Sequence, residues 1–394
     1  MSDLKGHLRD IEGFAPPDLW EVINSSEPRP RSLDPGPVRR ALVVAFAFAI
    51  GLAGVIFVAR AFGGHESQPA SDSRLTNGAV TARVTDRIDV GRATALAYGV
   101  GSLWVSLDAV DSSNPSVLRI DAVSDEIVAT IPVPGVSGWE IGGGGLVVAD
   151  GSVWVAGGVD GSGRGGFITR IDPSTNRVTD TVTLKDGDVA DVATDGTAIW
   201  ALLRGNPGQP KVVRIDPSSG QVVATIPLDG GYGRYIFASS GSVLAAIVQP
   251  LGGPFDDGTL VRIDPSTNQV AGTYNLGTYP SIAMGEGMMW AVTDNGLVQI
   301  DPDTGQPAGA PADAPCTGDA LAVGAGGVWC FDPARDRAVT RFNSQTAQVD
   351  VAMQQEEDTG GTALTTSPGS VWVVNGEQLT RIDLESARPG SPVP

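Results

Sequence analysis

The feature that most constrains this chain is a sequence unit that recurs seven times after residue 78. Each unit holds a Gly-Ser-x-Trp signature, or a looser version of it, that ends in a marker residue. The markers lie 39 to 50 residues apart, at Trp104, Trp154, Trp200, Leu244, Trp290, Trp329 and Trp372. A repeat of about 45 residues predicts one small structural unit that stacks on copies of itself.

A second signature, Arg-Ile-Asp in most units and followed by Pro in several, comes after each marker. It begins at Arg119, Arg170, Arg214, Arg262, Gln299, Arg341 and Arg381. A turn rich in Ser, Asn and Gly comes next, and then an alternating run such as 177–184. Proline fixes one turn dihedral, and Asn or Gly accepts a positive φ. Each unit therefore predicts four short antiparallel strands, and seven such units predict an all-β, seven-bladed β-propeller.

The two ends of the repeat array complement each other. The segment 79–90 alternates like the fourth strand of a unit but precedes the first unit, whereas the seventh unit ends after its third strand at 379–383. We expect 79–90 to complete the seventh blade, because a closed ring leaves no exposed strand edge between blades. The propeller is predicted over 79–387, with a C-terminal tail at 388–394.

The pattern resembles the bacterial virginiamycin B lyase-like and YVTN-type seven-bladed propellers, through stretches such as 151–156 and 168–176. The resemblance covers roughly 79–387. For the lyases it implies a histidine, acidic residues and a divalent metal on one face. The two histidines of this chain, His7 and His65, both precede the propeller. Lyase, Ser-His-Asp and Cys-His chemistry therefore lack their acid or base, and we expect no cofactor.

An uncharged run of 19 residues at 41–59 precedes the repeats. As a helix it would span about 28 Å, close to the hydrocarbon thickness of a bilayer. We predict a transmembrane helix at 41–62, a tail at 1–40 and a linker at 63–78. Because more arginines precede the run than follow it, the tail is expected in the cytoplasm and the propeller outside. A cleaved signal peptide and a buried core helix are the alternatives.

Charge and cysteine content narrow the function classes further. Acids outnumber bases 45 to 26, for a net charge of −19, which argues against nucleic acid as a partner. Two Cys and two His exclude a Cys/His zinc site. Outside the membrane thiols oxidise, so a disulfide between Cys316 and Cys330 is favoured over a pair of free core thiols.

The repeated Trp, Arg and Asp residues have both a functional and a structural interpretation. The tryptophans could form a sugar-stacking platform, and the Arg and Asp residues could bind an ion. We favour packing between blades for Trp, because it recurs at one place in each blade. We likewise expect Asp to begin the turn and Arg to lie along a blade.

A binding site is expected on one face of the propeller. Loops between blades and loops joining second to third strands surround the mouth of the axial channel there. The candidate ligand-binding residues vary between blades and are Arg92, Trp139, Glu140, Asp191, Tyr232, Arg234, Tyr235, Tyr279 and Asp319. Aromatic side chains beside charges suit a binding partner, although ordinary loop residues would look the same.

Three functions follow from these observations. The first is a membrane-anchored, extracytoplasmic binding or scaffold module without catalysis, for an envelope protein, a cell-wall polymer or a small ligand. The second is a metal-assisted lyase or a carboxylate-dependent hydrolase on the same face, using Glu140, Asp191 or Asp319. The third is a transmembrane sensor that signals through 1–40.

Overall fold

The computed structural model describes most of the propeller region, with gaps in its loops. The described residues are 75–76, 80–107, 115–133, 145–158, 165–185, 187–205, 209–239, 241–248, 257–278, 281–285, 287–293, 296–313, 316, 320–332, 338–343, 348–353 and 361–386. Within these ranges no helix is long and apolar enough to cross a membrane. The predicted tail, transmembrane helix and almost all of the linker lie outside the described residues.

The described part of the chain is built from 28 strands. The first half of the strands are β1 Leu75–Thr76, β2 Val80–Asp89, β3 Ala93–Gly99, β4 Ser102–Leu107, β5 Ser116–Asp121, β6 Ile127–Pro132, β7 Leu146–Ala149, β8 Ser152–Gly158, β9 Gly166–Asp172, β10 Arg177–Leu184, β11 Val189–Thr194, β12 Ile199–Leu203, β13 Lys211–Ile215 and β14 Val222–Pro227. The second half are β15 Tyr232–Ser239, β16 Ser242–Val248, β17 Asp257–Asp264, β18 Gln269–Thr278, β19 Ser281–Gly285, β20 Met288–Thr293, β21 Gly296–Ile300, β22 Leu321–Gly324, β23 Gly327–Asp332, β24 Ala338–Asn343, β25 Gln348–Met353, β26 Gly361–Ser367, β27 Ser370–Asn375 and β28 Gln378–Ser386.

The strands form seven antiparallel sheets, and the predicted seven-bladed propeller is confirmed. Blade one is β3 to β6, blade two β7 to β10, blade three β11 to β14 and blade four β15 to β18. Blade five is β19 to β21, and blade six is β22 to β25. In each of these blades neighbouring strands in sequence are neighbours in the sheet, as short hairpin connections require. The marker residue lies on the second strand of every blade.

Blade seven joins the two ends of the array, as the sequence predicts. Its order is β26, β27, β28, β2 and β1. Strand β2 pairs antiparallel with β28 from Val80, opposite Ser386, to Asp89, opposite Gln378. The short strand β1 adds a fifth member, with Leu75 opposite Ala82; the sequence did not predict it.

Blade five departs from the predicted four-stranded unit. Its sheet has three strands, and the fourth position is taken by an irregular segment that makes two isolated bridges, Leu297 to Ala312 and Ile300 to Pro307. Pro307 and Pro311 have no backbone N–H to donate to a ladder. The segment therefore covers the edge of β21 without forming a strand.

The marker tryptophans are core residues. Trp104, Trp154, Trp200, Trp329 and Trp372 are fully buried. Each belongs to an apolar cluster with side chains of an adjacent blade: Trp200, for example, packs with Ile236 and Val243 of blade four. The interpretation of the repeated tryptophans as packing between blades is thus supported, and a sugar-stacking platform is excluded at these five positions.

The repeated arginines do more than lie along a blade. In five blades the guanidinium stacks on the marker tryptophan, as Arg214 does on Trp200 at 5.1 Å. Arg214 also donates to the turn of the next blade, 2.8 Å to Pro265 O and 3.1 Å to Asn268 Oδ1. Asn268 has φ +56°, a conformation that asparagine tolerates. The Arg-Ile-Asp repeat therefore links consecutive blades as well as forming a strand.

We expect Arg214→Lys to cost about 1–2 kcal/mol, because a lysine cannot both stack on Trp200 and donate in two directions. Arg170 provides the matched control. It stacks on Trp154, but the turn it faces in blade three has Gly220 at the positive-φ position and no side-chain acceptor there. Arg170→Lys should cost less, as urea unfolding of both variants would show; equal losses would contradict the inter-blade role.

A disulfide joins Cys316 and Cys330, 14 residues apart. Cys316 precedes β22, and Cys330 lies on β23 opposite Leu321. The bond therefore connects the segment that leads into blade six with the second strand of that blade. No free cysteine occurs among the residues described.

Candidate binding site

The described candidate residues fall into two places on the channel-mouth face. Asp191 lies on β11, and Tyr232, Arg234 and Tyr235 lie on β15, the inner strands of blades three and four. Arg92 is exposed on the link between blades seven and one. The structure thus brings four of the predicted residues together and leaves Arg92 apart. Trp139, Glu140, Tyr279 and Asp319 lie outside the described residues.

One position of the repeat distinguishes blades three and four from the others. In each blade the marker on the second strand pairs with one residue of the inner strand. The position in question lies two residues before that pairing partner. Small residues occupy it in blades one, two, five and seven, namely Ala95, Gly145, Ser281 and Ala363. In blades three and four it holds Asp191 and Tyr235. Blades three and four therefore carry large polar side chains at a position where those other blades have small residues.

Asp191 connects the inner strands of three blades. It follows a bulge in β11 between Val189 and Asp191. Its Oδ1 accepts from the N–H of Val192 at 2.8 Å, and its Oδ2 accepts from the N–H of Ile236 in blade four at 3.0 Å. On the other side Gly145 of blade two approaches so closely that a Cβ there would overlap Asp191 Oδ1. The carboxylate is held where these blades meet.

Desolvation raises the pKa of Asp191 to about 7, against its ordinary value near 4. The two backbone N–H donors and the nearby Arg204 charge oppose this rise without cancelling it. A pKa near 7 would suit a general acid or base. Both oxygens, however, already accept backbone hydrogen bonds within the fold. Asp191 is therefore placed to join blades rather than to transfer a proton to a substrate.

The side chains of β15 offer a contact surface beside this carboxylate. Tyr232 is 40% exposed. The Arg234 guanidinium stacks over the Tyr235 ring at 5.1 Å. An exposed tyrosine next to a stacked arginine presents flat, amphipathic area that can bind a partner with little loss of side-chain freedom.

Two further groups complete the cluster. Asp188 precedes β11, and Arg204 follows β12 directly opposite, with Arg204 N donating to Asp188 O at 2.9 Å. Both are half-buried. Arg204 is not part of a repeated motif and was not predicted, although counting four residues from the marker Trp200 places it at the channel-mouth end of β12. We call Asp188, Asp191, Arg204, Tyr232, Arg234 and Tyr235 the blade-three/four cluster.

A second concavity lies on the same face, where the ring closes. It has a volume of about 490 Å³ and is lined by Asp89, Val90, Gly91, Leu118, Ile127, Thr130 and Glu377. Asp89 and Glu377 are exposed, so water already solvates their carboxylates. A ligand in this cleft would therefore replace hydrogen bonds that water already makes. The half-buried groups of the blade-three/four cluster depend more on a ligand for their hydrogen bonds.

The described residues contain no group of three or more His, Cys, Asp or Glu side chains arranged to hold a metal ion. The Asp residues of the repeat serve the turns instead. Asp172 Oδ1, for example, accepts from the N–H and hydroxyl of Ser174 at 2.8 and 2.7 Å. These hydrogen bonds lower the pKa of Asp172, which agrees with the role predicted for the repeated Asp.

We expect Gly145→Ala to destabilise the propeller by about 1–3 kcal/mol, because the new Cβ would meet Asp191 Oδ1 and the backbone of β11. Gly309→Ala is the matched control, since a Cβ there meets no atom within 4 Å. Thermal unfolding of both variants tests the contact. A Gly145→Ala protein as stable as the control would show that blade two does not pack against Asp191.

Comparison with known proteins supports the fold. No protein-family model and no curated protein matches the chain. Solved structures do match. The virginiamycin B lyase from Staphylococcus aureus is 15% identical with a TM-score of 0.56, over 77% of this chain and 99% of that one. The Pan2 WD40 domain from Neurospora crassa is 11% identical with a TM-score of 0.57, over 77% and 90%.

The β-propeller domain of Cps50 (Swd1) from Myceliophteria thermophila gives a similar result, with 12% identity, a TM-score of 0.56 and coverage of 77% and 99%. Identities this low establish a shared fold and nothing about activity. The expected resemblance to virginiamycin B lyase is therefore confirmed at the level of the propeller.

Proposed function

We propose that this chain is a membrane-anchored protein whose propeller lies outside the cytoplasm and binds a partner, without catalysis, through the blade-three/four cluster. The observation that carries the proposal is the concentration of large polar and aromatic side chains on two adjacent inner strands. At the equivalent position the blades one, two, five and seven have Ala, Gly or Ser. In a propeller, residues that differ between blades at equivalent loop and strand-end positions determine which ligand binds.

The membrane part of the proposal rests on the sequence. The uncharged run at 41–59 has the length of a bilayer span, and Arg39 and Arg40 stand directly before it. A reporter enzyme that is active only outside the cytoplasm, fused after residue 394, should be active. Activity of a reporter that works only inside the cytoplasm would contradict the proposed orientation.

The absence of catalysis rests on the chemistry of the cluster. The residues from 66 to 394 contain no histidine. Asp191 has a pKa near neutrality, but both of its oxygens accept backbone hydrogen bonds. The exposed Tyr232 and the half-buried Arg234–Tyr235 pair are typical of recognition surfaces.

The test is affinity capture from envelope extracts with residues 63–394 as bait, since both ends of the propeller lie in blade seven. One variant bait carries Tyr232→Ala with Arg234→Glu. A matched control bait carries Asp89→Asn with Arg92→Ala, on the same face but at the ring closure. We expect one partner to be retained by the native and control baits and lost from the first variant. Equal capture by all three would contradict the assigned site.

A further inference from the structure

The two opposite charges of the cluster stand on one face of blade three. Arg204 N donates to Asp188 O, next to the register pair Val189 and Leu203, so Asp188 and Arg204 are cross-strand neighbours. Side chains of such a pair lie on the same side of a sheet. Leu202, two residues before Arg204, shares that side and packs against Ile236 of blade four. Asp188 and Arg204 therefore face the junction of blades three and four.

These two groups do not satisfy each other. Cross-strand residues of opposite charge ordinarily form an ion pair. Within the described part of the chain, neither side chain makes one, and Asp188 Oδ1 is buried without a hydrogen-bond donor. A buried carboxylate oxygen without a donor costs free energy. Three buried glycines, Gly187, Gly205 and Gly233, border the pair, and none brings a side chain that could donate.

We propose that Asp188 and Arg204 together bind a secondary amide of the ligand. The Asp188 carboxylate accepts the amide N–H, and the Arg204 guanidinium donates to the amide C=O. This rests on the proposed function, because it names the group that the blade-three/four cluster recognises. Two sources carry such a group, a peptide backbone and an acetamido sugar.

Charge balance favours a neutral amide over a charged group. A cation placed against Asp188 would be repelled by Arg204. An anion placed against Arg204 would be repelled by Asp188 and, above neutral pH, by Asp191. A secondary amide is uncharged, and its N–H and C=O point in opposite directions. An amide that lies between the two side chains therefore satisfies both and brings no new charge into a half-buried site.

The test uses the full chain in detergent micelles and isothermal titration calorimetry. The amide probes are a triglycine blocked by acetyl and amide ends, and N-acetylglucosamine with glucose as its amide-free match. Methylammonium and acetate are the charged probes. We expect saturable binding of at least one amide probe and none of glucose or the charged probes. The blocked peptide and the acetamido sugar distinguish the two sources.

Variants assign the binding to this pair. Asp188→Ala and Arg204→Ala should each weaken binding of the amide probe at least tenfold, whereas Arg177→Ala, a change of an exposed residue on β10, should leave it unchanged. The proposal is overturned if no amide probe binds, if a charged probe binds better, or if a double-mutant cycle on unfolding shows that Asp188 and Arg204 bind each other. Capture of the same partner by the Asp188→Ala and Arg204→Ala baits would remove this inference and leave the proposed function standing.

Discussion

Removing β2 should prevent the ring from closing, with a loss of about 5 kcal/mol or more in the free energy of unfolding. Strand β2 forms the antiparallel ladder with β28, and its Ala82, Val84 and Ile88 are buried in the core. Burying a Val or Ile side chain contributes roughly 1.5–3 kcal/mol. A domain is stable by only about 5–15 kcal/mol in total. The expected loss is therefore a large fraction of the free energy of unfolding of the propeller.

Two truncations separate closure from anchoring. A chain that begins at residue 90 lacks β1 and β2, and we expect it to unfold at a much lower urea concentration or to aggregate through the exposed edge of β28. A chain that begins at residue 74 lacks the predicted membrane segment and keeps both strands. It should unfold like the full propeller. Equal midpoints for the two truncations would mean that β2 does not hold the ring closed.

The closure illustrates what the sequence can predict in this fold. Blade number, strand order and the role of residues 79–90 follow from periodicity, because every blade repeats the same buried pattern. Blade five and β1 could not be predicted in this way. Pro307 and Pro311 break one strand, and the pairing of Leu75 with Ala82 depends on where β2 leaves an edge unpaired. Such features arise from single residues and long-range pairing rather than from the repeat.

The candidate site, like the fold, could be predicted from the sequence only in part. Asp191, Tyr232, Arg234 and Tyr235 could be selected because they depart from the repeat at one end of the inner strands. Their grouping depends on the order of blades, which the repeat also provides. The partnership of Asp188 with Arg204 could not be predicted, because it requires the register of β11 on β12 across a bulge. Trp139, Glu140, Tyr279 and Asp319 stay predictions.

Asp191 should make the stability of the propeller fall as the pH rises from about 4 to about 7. Its pKa is near 4 in the unfolded chain and about 7 in the fold. Between these values the folded chain holds a proton that the unfolded chain releases, so rising pH favours unfolding. The stability from this residue is fully present below pH 4 and is lost as the pH passes 7. A pKa difference of about 3 corresponds to roughly 4 kcal/mol.

The carboxylates of the turns act in a different pH range. Hydrogen bonds from Ser and backbone groups lower the pKa values of the turn residues Asp172, Asp216 and Asp264. Their contribution is present above pH 4 and is lost only as the pH falls further. Burial also raises the pKa of Asp125, so Asp191 is measured by the difference in slope between the native protein and a variant that lacks its carboxyl. Arg204 and Asp188 are the charged groups beside Asp191 on blade three.

Asp191→Asn tests this assignment, because asparagine cannot ionise. It offers one acceptor oxygen in place of two, so either the Val192 or the Ile236 N–H loses its partner. That loss lowers stability by about 1–3 kcal/mol at every pH. Between pH 4 and 7 the stability of the variant should nevertheless decline less than that of the native protein, with Asp125 contributing to the slope that remains. Parallel declines in both proteins, measured by urea unfolding at several pH values, would show that Asp191 is ionised in the fold and that another group titrates.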